Sequence, residues 1–261
     1  MTMIRFCFFI ILCNFLNPAV AQSPYELSWK KDGGLVALGG ISTGLGLYLR
    51  SNQATLTIAE LEALNPNTIN SFDRIATEYY STKAAKASDF FWGGSHALPF
   101  LFLVNKKTRK DFSKISALYG ETFFITLGLT VLVKSTTNRI RPFAYNTLAP
   151  LDEKTSPNAT TAFPSGHTSI TAANCFFAAK IFADYFPDSK WKPVVWTSAA
   201  VIPAITGYLR VRAGKHFPTD TIAGYLLGVS AGILIPHLHK KKSKNLSFHG
   251  GLNGLLVQVS F

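Results

Sequence analysis

Cysteine, acidic residues and charge in general are scarce in this chain. Only three cysteines occur in 261 residues, and two of them, Cys7 and Cys13, fall in the first apolar run. Cys175 is then alone downstream, which excludes an intramolecular disulfide even in an oxidising compartment and leaves it the part of a small apolar side chain. No zinc-finger spacing and no P-loop occurs. His237 and His239 stand two apart beside Lys240, Lys241, Lys242 and Lys244, but no cysteine or carboxylate cluster accompanies them in sequence. The reading therefore assigns no metal and no cofactor. Asp and Glu number 14 against 26 Lys and Arg, for a formal net charge of +12, while charged residues make up only 15% and hydrophobic residues 48%. That balance leans toward membrane residence rather than nucleic-acid binding, since no nucleic-acid module accompanies the basic excess. Internal repeats and low-complexity tracts are also absent.

What is present is a series of apolar segments, near 33–49, 88–104, 115–134, 166–186, 193–209 and 220–238. Several are only marginally long for a spanning helix of about 20 residues, and the first carries six glycines. Ahead of them, Arg5, the apolar run Phe6 to Leu16 and the small-x-small sequence Ala19-Val20-Ala21 read as a targeting segment cleaved before Gln22.

Three short stretches carry the chemistry. The first runs Lys134-Ser-Thr-Thr-Asn-Arg-Ile-Arg141-Pro142, the second Pro164-Ser165-Gly166-His167, and the third Arg210-Val-Arg-Ala-Gly-Lys-His216-Phe-Pro-Thr-Asp220. A phosphoryl group in transfer spreads charge over three equatorial oxygens. It needs fixed cations and N–H donors aimed at them, with a nucleophile and a leaving-group acid on opposite sides. Lys134, Arg141 and Arg210 supply cations, and arginine's planar fork suits bidentate contact with phosphate. Ser165 and Gly166 precede a long apolar run, so they are expected to open a helix whose free N–H groups face an anion.

In order and spacing the three stretches resemble the signature of the type 2 phosphatidic acid phosphatase (PAP2) family, related to bacterial acid phosphatases and vanadium haloperoxidases. One position departs: Leu209 stands where the family usually has a serine before the arginine. The resemblance implies an all-α helical bundle, membrane-embedded, with six helices in the membrane-bound members. It implies that His216 attacks phosphorus to form a phosphohistidine, that Asp220 orients the His216 ring, and that His167 protonates the leaving oxygen and later activates water. The phosphate-binding group is then Lys134, Arg141, Ser165, Gly166 and Arg210. The implied substrate is a lipid phosphate monoester or pyrophosphate, hydrolysed without a metal. A soluble periplasmic non-specific acid phosphatase, a haloperoxidase and a non-catalytic lipid-binding or transport protein remain open as alternatives. Neither the particular lipid nor the oligomeric state can be read from the sequence.

Charge sets the expected topology. Lys106, Lys107, Arg109, Lys110 and Lys114 fill one short link, and the lysines at 240–244 follow the last segment, so both belong in the cytoplasm. The active site then faces the periplasm from a bacterial inner membrane. Six crossings would put Gln22 inside, in conflict with a cleaved secretory signal. The glycine-rich 33–49 segment is therefore expected not to cross, with Lys31 and Ser51 on one side. Glu121 and Lys180, each thirteen residues from a motif residue, should lie about 20 Å from the catalytic end and pair, with Asp184 as a competing partner for the lysine. His96 is expected to pack rather than act.

The chain divides into a signal peptide at 1–21, an N-terminal apolar segment and polar connecting region at 22–86, a helical phosphatase core at 87–239, and a basic stretch with a possible β-hairpin at 240–261. Within the connector, Thr57 and Glu60 have capping-box spacing, and Leu61, Leu64 and Ile69 are candidates to dock it on the membrane or on the core. Around Asn253-Gly254, alternating residues point to a small hairpin.

Overall fold

The computed structural model describes residues 23–241, together with the backbone of 247–251 and 254–258. The expected signal segment lies outside the described residues. Six longer helices form the body: α1 (Trp29–Ser51), α2 (Thr82–Ser95), α3 (Phe112–Thr137), α4 (Gly166–Tyr185), α5 (Lys192–Arg212) and α6 (Pro218–Leu238). They follow the six apolar segments. The second is the shortest, because Pro99 cannot continue a helix and the chain passes instead into a 3₁₀ stretch, Leu98–Leu103. Two tail strands, β1 (Ser247–Gly251) and β2 (Gly254–Gln258), pair antiparallel with Gly251 opposite Gly254, in agreement with the expected hairpin.

Among the described residues, three helical stretches are long and apolar enough to cross a membrane: Phe112–Tyr145, Lys192–Arg212 and Pro218–Leu238. The bundle is built with its bulk outward. On α6, Ile222, Leu226, Leu234 and Leu238 are exposed, while Gly224, Gly228 and Gly232 are buried against α4. A methyl group at Gly228 would lie 2.2 Å from the Ser169 carbonyl oxygen, so only glycine lets the two backbones approach this closely. Large apolar side chains facing out and small ones facing in suit a lipid solvent, where helices associate by close packing.

The glycine-rich first segment corrects the expected topology. Helix α1 packs along α3 for its length: a Cβ at Gly39 would meet Phe124, and one at Gly46 would meet Leu132 at 2.7 Å. The two helices run parallel. The Lys31 ammonium donates to the Leu238 carbonyl at one end, while Gln53 donates to the Ser135 carbonyl at the other. Lys31 and Ser51 are therefore at opposite ends of the bundle, contrary to the expectation that one side holds both. Two of the glycines that weakened the segment's hydropathy, Gly39 and Gly46, form its contact with α3.

The proposed Glu121–Lys180 pair does not form. Lys180 binds Asp184, one turn along the same helix, and Asp184 also accepts from Tyr25 Oη at 2.6 Å and from Lys240 at 2.8 Å. A local partner at i+4 needs no second helix to be positioned. Glu121 instead lies 3.4 Å from His239. His96 packs against Trp92 and Phe123 and meets the Tyr119 hydroxyl at 3.1 Å, as expected of a structural residue.

The connector docks on the protein. Thr57 and Glu60 form the capping box at the start of Ile58–Glu62. Leu61 and Leu64 pack with Leu56, Phe143 and Ala159, and Ile69 packs with Ala76, Ala162 and Phe217.

Candidate active site

Helix α3 ends at Thr137, where Asn138 takes the left-handed conformation at φ 47°. Asparagine tolerates that region, and the chain turns back across the bundle end. Backbone bonds then tie the three motifs together: Arg141 N–H donates to the Ala159 carbonyl at 2.7 Å, Ala162 N–H to that of Arg139 at 2.9 Å, and Ser165 N–H to that of Asp220 at 2.9 Å. Ser165 is the N-cap of α4; its Oγ accepts from the Thr168 N–H at 3.4 Å, so Gly166 and His167 occupy the first turn as expected.

Two hubs gather the charged side chains. The Thr161–Ala162 backbone is one: Lys134 Nζ donates to the Thr161 carbonyl at 2.8 Å, Arg141 Nη2 reaches Thr161 Oγ1 at 3.3 Å, and His216 Nδ1 donates to the Ala162 carbonyl at 2.6 Å. Asp89 of α2 is the other, with its Oδ1 2.8 Å from His167 Nε2 and 3.5 Å from Arg210 Nη1. Arg210 also donates to Ser88 Oγ at 3.2 Å. Lys134, Arg210 and His216 are all buried. Among the described residues Arg141 Nε and Arg210 Nε are buried without a hydrogen-bond partner. Buried cationic N–H groups left open in this way are donors for an anion.

Burial holds the His216 ring far below the ordinary imidazole range, and the charges of Lys134, Arg141 and Arg210 push in the same direction. The ring is neutral at physiological pH. With its Nδ1 proton on a carbonyl, which can only accept, the lone pair is on Nε2. This orienting role was expected of Asp220. The Asp220 carboxylate is instead 3.7 Å from His216 Nδ1, beyond hydrogen-bond reach; it accepts from the Phe217 N–H at 2.7 Å and from Arg139 at 2.5 Å. Asp220 sits at the start of α6, where a carboxylate serves the helix's own open N–H groups first.

Sequence reasoning missed four further residues. Asp89 is one. Arg139 and Asp73 form the second group: Arg139 bridges Asp220 and Asp73, and Asp73 accepts from the Thr219 N–H at 3.0 Å. Although burial alone would raise the Asp73 carboxyl, bonds from Asn70, Thr219 and Arg139 keep it below the ordinary carboxylate range. This buried carboxylate locks the connector to the His216 motif. Lys215 is the fourth; burial, with the Arg141 charge adding to it, brings its ammonium down to about 8, and it binds Glu153. Arg139 lay in plain view inside the first motif. Lys215 likewise lay inside the third motif, whereas Asp73 and Asp89 carried no local signal, since partners some sixty residues and more away define them.

The model of the PAP2 superfamily matches residues 116–244, which include all three motifs. Over this stretch, just under half of its length, the chain is similar to the PAP2 superfamily. It is 32% identical over 114 residues, 43% of its length, to phosphatidylglycerophosphatase B of Bacillus subtilis (strain 168), covering 52% of that protein. It is 30% identical over 129 residues, 49% of its length, to an undecaprenyl-diphosphatase of Sulfolobus acidocaldarius, covering 55% of that protein. The chain thus spans about half the length of the curated relatives it matches. A crystal structure of a transmembrane PAP2-type phosphatidylglycerolphosphate phosphatase from Bacillus subtilis aligns over 89% of this chain and 92% of its own, at 22% identity and a TM-score of 0.44.

Proposed function

We propose that this protein is a PAP2-type phosphatase that hydrolyses lipid phosphate monoesters or pyrophosphates through a phosphohistidine, with its positive charge supplied by side chains. The observation that carries the reading is the neutral, buried His216, held on the Ala162 carbonyl with Lys134, Arg141 and Arg210 around it. In the first step His216 Nε2 attacks phosphorus; an N–P bond forms, the bond from phosphorus to the leaving oxygen breaks, and protonated His167 delivers its proton to that oxygen. In the second step His167, now neutral, takes a proton from water as the water oxygen attacks phosphorus. The N–P bond breaks, and inorganic phosphate or its equivalent leaves with the electron balance restored. Lys134, the two arginines and the N–H groups at Gly166 and His167 hold the three equatorial oxygens in both steps. Burial and the Arg210 and Arg141 charges favour the neutral His167 ring; Asp89, hydrogen-bonded to it, acts in the opposite direction, and an anionic substrate on the two arginines adds to Asp89 toward the protonated form that the first step requires.

A lipid substrate is favoured over a soluble one by an apolar crevice between α5 and α6, lined by Pro203, Ala204, Gly207, Ile222 and Leu226 and reaching Thr168, next to His167. The same reading places the protein in a bacterial inner membrane with the site toward the periplasm. Its support is that Lys107 and Lys240 meet Tyr185 and Asp184 at the C-terminal end of α4, whereas His167 stands at the other end. The test is turnover of purified protein on a panel of lipid phosphates and pyrophosphates against a soluble aryl phosphate, with and without EDTA. Release of phosphate from the lipids, unchanged by chelation, is the expected result. Turnover of the soluble ester alone, or strong inhibition by EDTA that magnesium reverses and that persists in the Glu121→Gln variant, defeats the reading.

A further inference from the structure

At the end of the bundle away from the motif residues, α1, α3 and the residue following α6 bring together Asp32, Glu121 and His239. His239 is 0% exposed and Glu121 3%, while the Asp32 side chain retains 22%. The His239 Nε2 atom is 2.8 Å from Asp32 Oδ1 and 3.4 Å from Glu121 Oε2. The other ring nitrogen, Nδ1, is 2.8 Å from the Ile235 carbonyl oxygen, which can only accept. Nδ1 therefore carries the proton. In the neutral ring the Nε2 lone pair then faces two carboxylates.

Among the described residues no further side-chain donor bonds either carboxylate. If the ring takes a second proton, its single Nε2–H serves Asp32, and Glu121 Oε2 stays buried with no hydrogen-bond partner. The ammonium of Lys31 is engaged by the Leu238 carbonyl at 2.6 Å. Lys31 contributes its charge at this end but bonds neither carboxylate, so the buried Glu121 oxygen is still without a donor.

We propose that Asp32, Glu121 and His239 bind a divalent transition-metal ion of the zinc class, which closes the bundle end by joining α1, α3 and α6. A divalent ion with a neutral imidazole and two carboxylates sums to zero charge and engages the open Glu121 oxygen. Donor atoms on an ion at about 2.1 Å are about 3.0 Å apart in octahedral and about 3.4 Å apart in tetrahedral geometry, close to the two separations found here. An imidazole nitrogen in the set favours zinc and its neighbours over magnesium or calcium, which take all-oxygen sites. The Ile235 carbonyl behind His239 and the Ser28 N–H on Asp32 Oδ2, at 2.9 Å, are the outer bonds that orient such ligands. The partly exposed Asp32 is the route of entry.

The experiment uses the full chain purified in detergent, stripped with EDTA, desalted and titrated with Zn(II). Bound zinc is measured by plasma mass spectrometry and thermal unfolding is followed in parallel. About one zinc per chain and a zinc-dependent rise in Tm are expected. Both should be weakened at least about tenfold in concentration dependence by Glu121→Gln and by Asp32→Asn, and His237→Gln should leave them unchanged. Equal zinc binding by wild type and the ligand variants, or no zinc and no Tm response in wild type, overturns the proposal. Cobalt(II) added to stripped wild-type protein supplies a readout that needs no variant: visible d–d bands of a bound ion are expected, and a spectrum identical to free cobalt overturns the site. None of these measurements depends on turnover, so their failure is separate from failure of the phosphatase reading.

Discussion

The two ends of the bundle bury similar kinds of charged residue and treat them in opposite ways. Around Asp184 every charge is answered: Lys180, Lys240 and Tyr25 all converge on one carboxylate. Around His216 the cations outnumber the carboxylates within reach, and Arg141 Nε and Arg210 Nε are left open. Saturated charge clusters fasten helices together; unsaturated ones have a ligand to meet. The Glu121 oxygen at the Asp184 end breaks the pattern there, and for the same reason it reads as a site.

The largest effect that would break this contrast is at the proposed nucleophile. His216→Ala should lower kcat by about 10⁴-fold or more and abolish acid-labile phosphoprotein in a quenched reaction. A variant that keeps a tenth of the rate would make His216 structural. Next comes Arg210→Lys, which keeps the charge but not the fork; a loss of about 10²-fold in kcat/KM is expected on the same lipid substrate.

The pH profile sharpens the comparison further. Because the folded environment lowers the His216 pKa, the neutral nucleophile persists as pH falls through the ordinary imidazole value of about 6.5, and the acidic limb of kcat/KM assigned to it should lie below that value. Removing a repelling charge with Arg141→Gln should move the limb upward. A limb that stays put would detach His216 from these cations. Topology gives a test with a qualitative outcome: Lys31→Cys and Ser51→Cys should be labelled from opposite sides of the membrane. Labelling of both from one side would contradict the parallel run of α1 and α3. The smallest effect is expected at the saturated end, where Asp184→Asn should cost about 2 kcal/mol of stability in denaturant titration and leave kcat unchanged. A matching loss of activity would show that the two ends are coupled.

Much of this protein was legible in its sequence because the relevant signals are local. Apolar runs of helical length located five of the six long helices to within four residues at each end and the sixth in part, and the motifs supplied Lys134, Arg141, Ser165, Gly166, His167, Arg210 and His216, which the fold gathers at one end of the bundle. A capping box needs only two residues three apart, so Thr57 and Glu60 could be read directly. Partners that meet across the fold left no such trace. The Ala162 carbonyl on His216 is invisible in a sequence, since every residue has one. Asp73 and Asp89 reach the site from a connector and from α2, through hydrogen bonds set by packing. In α1, composition pointed the wrong way. Glycine lowers the hydropathy on which a spanning segment is judged, yet close helix packing requires it, and only the facing backbone of α3 shows which effect prevails. His239 illustrates the same limit: its neighbours in the chain are lysines, and its carboxylates come from helices that begin 210 and 127 residues earlier, at Trp29 and Phe112. Sequence fixes which side chains exist and their local spacing; which of them share one buried volume is decided when the helices pack.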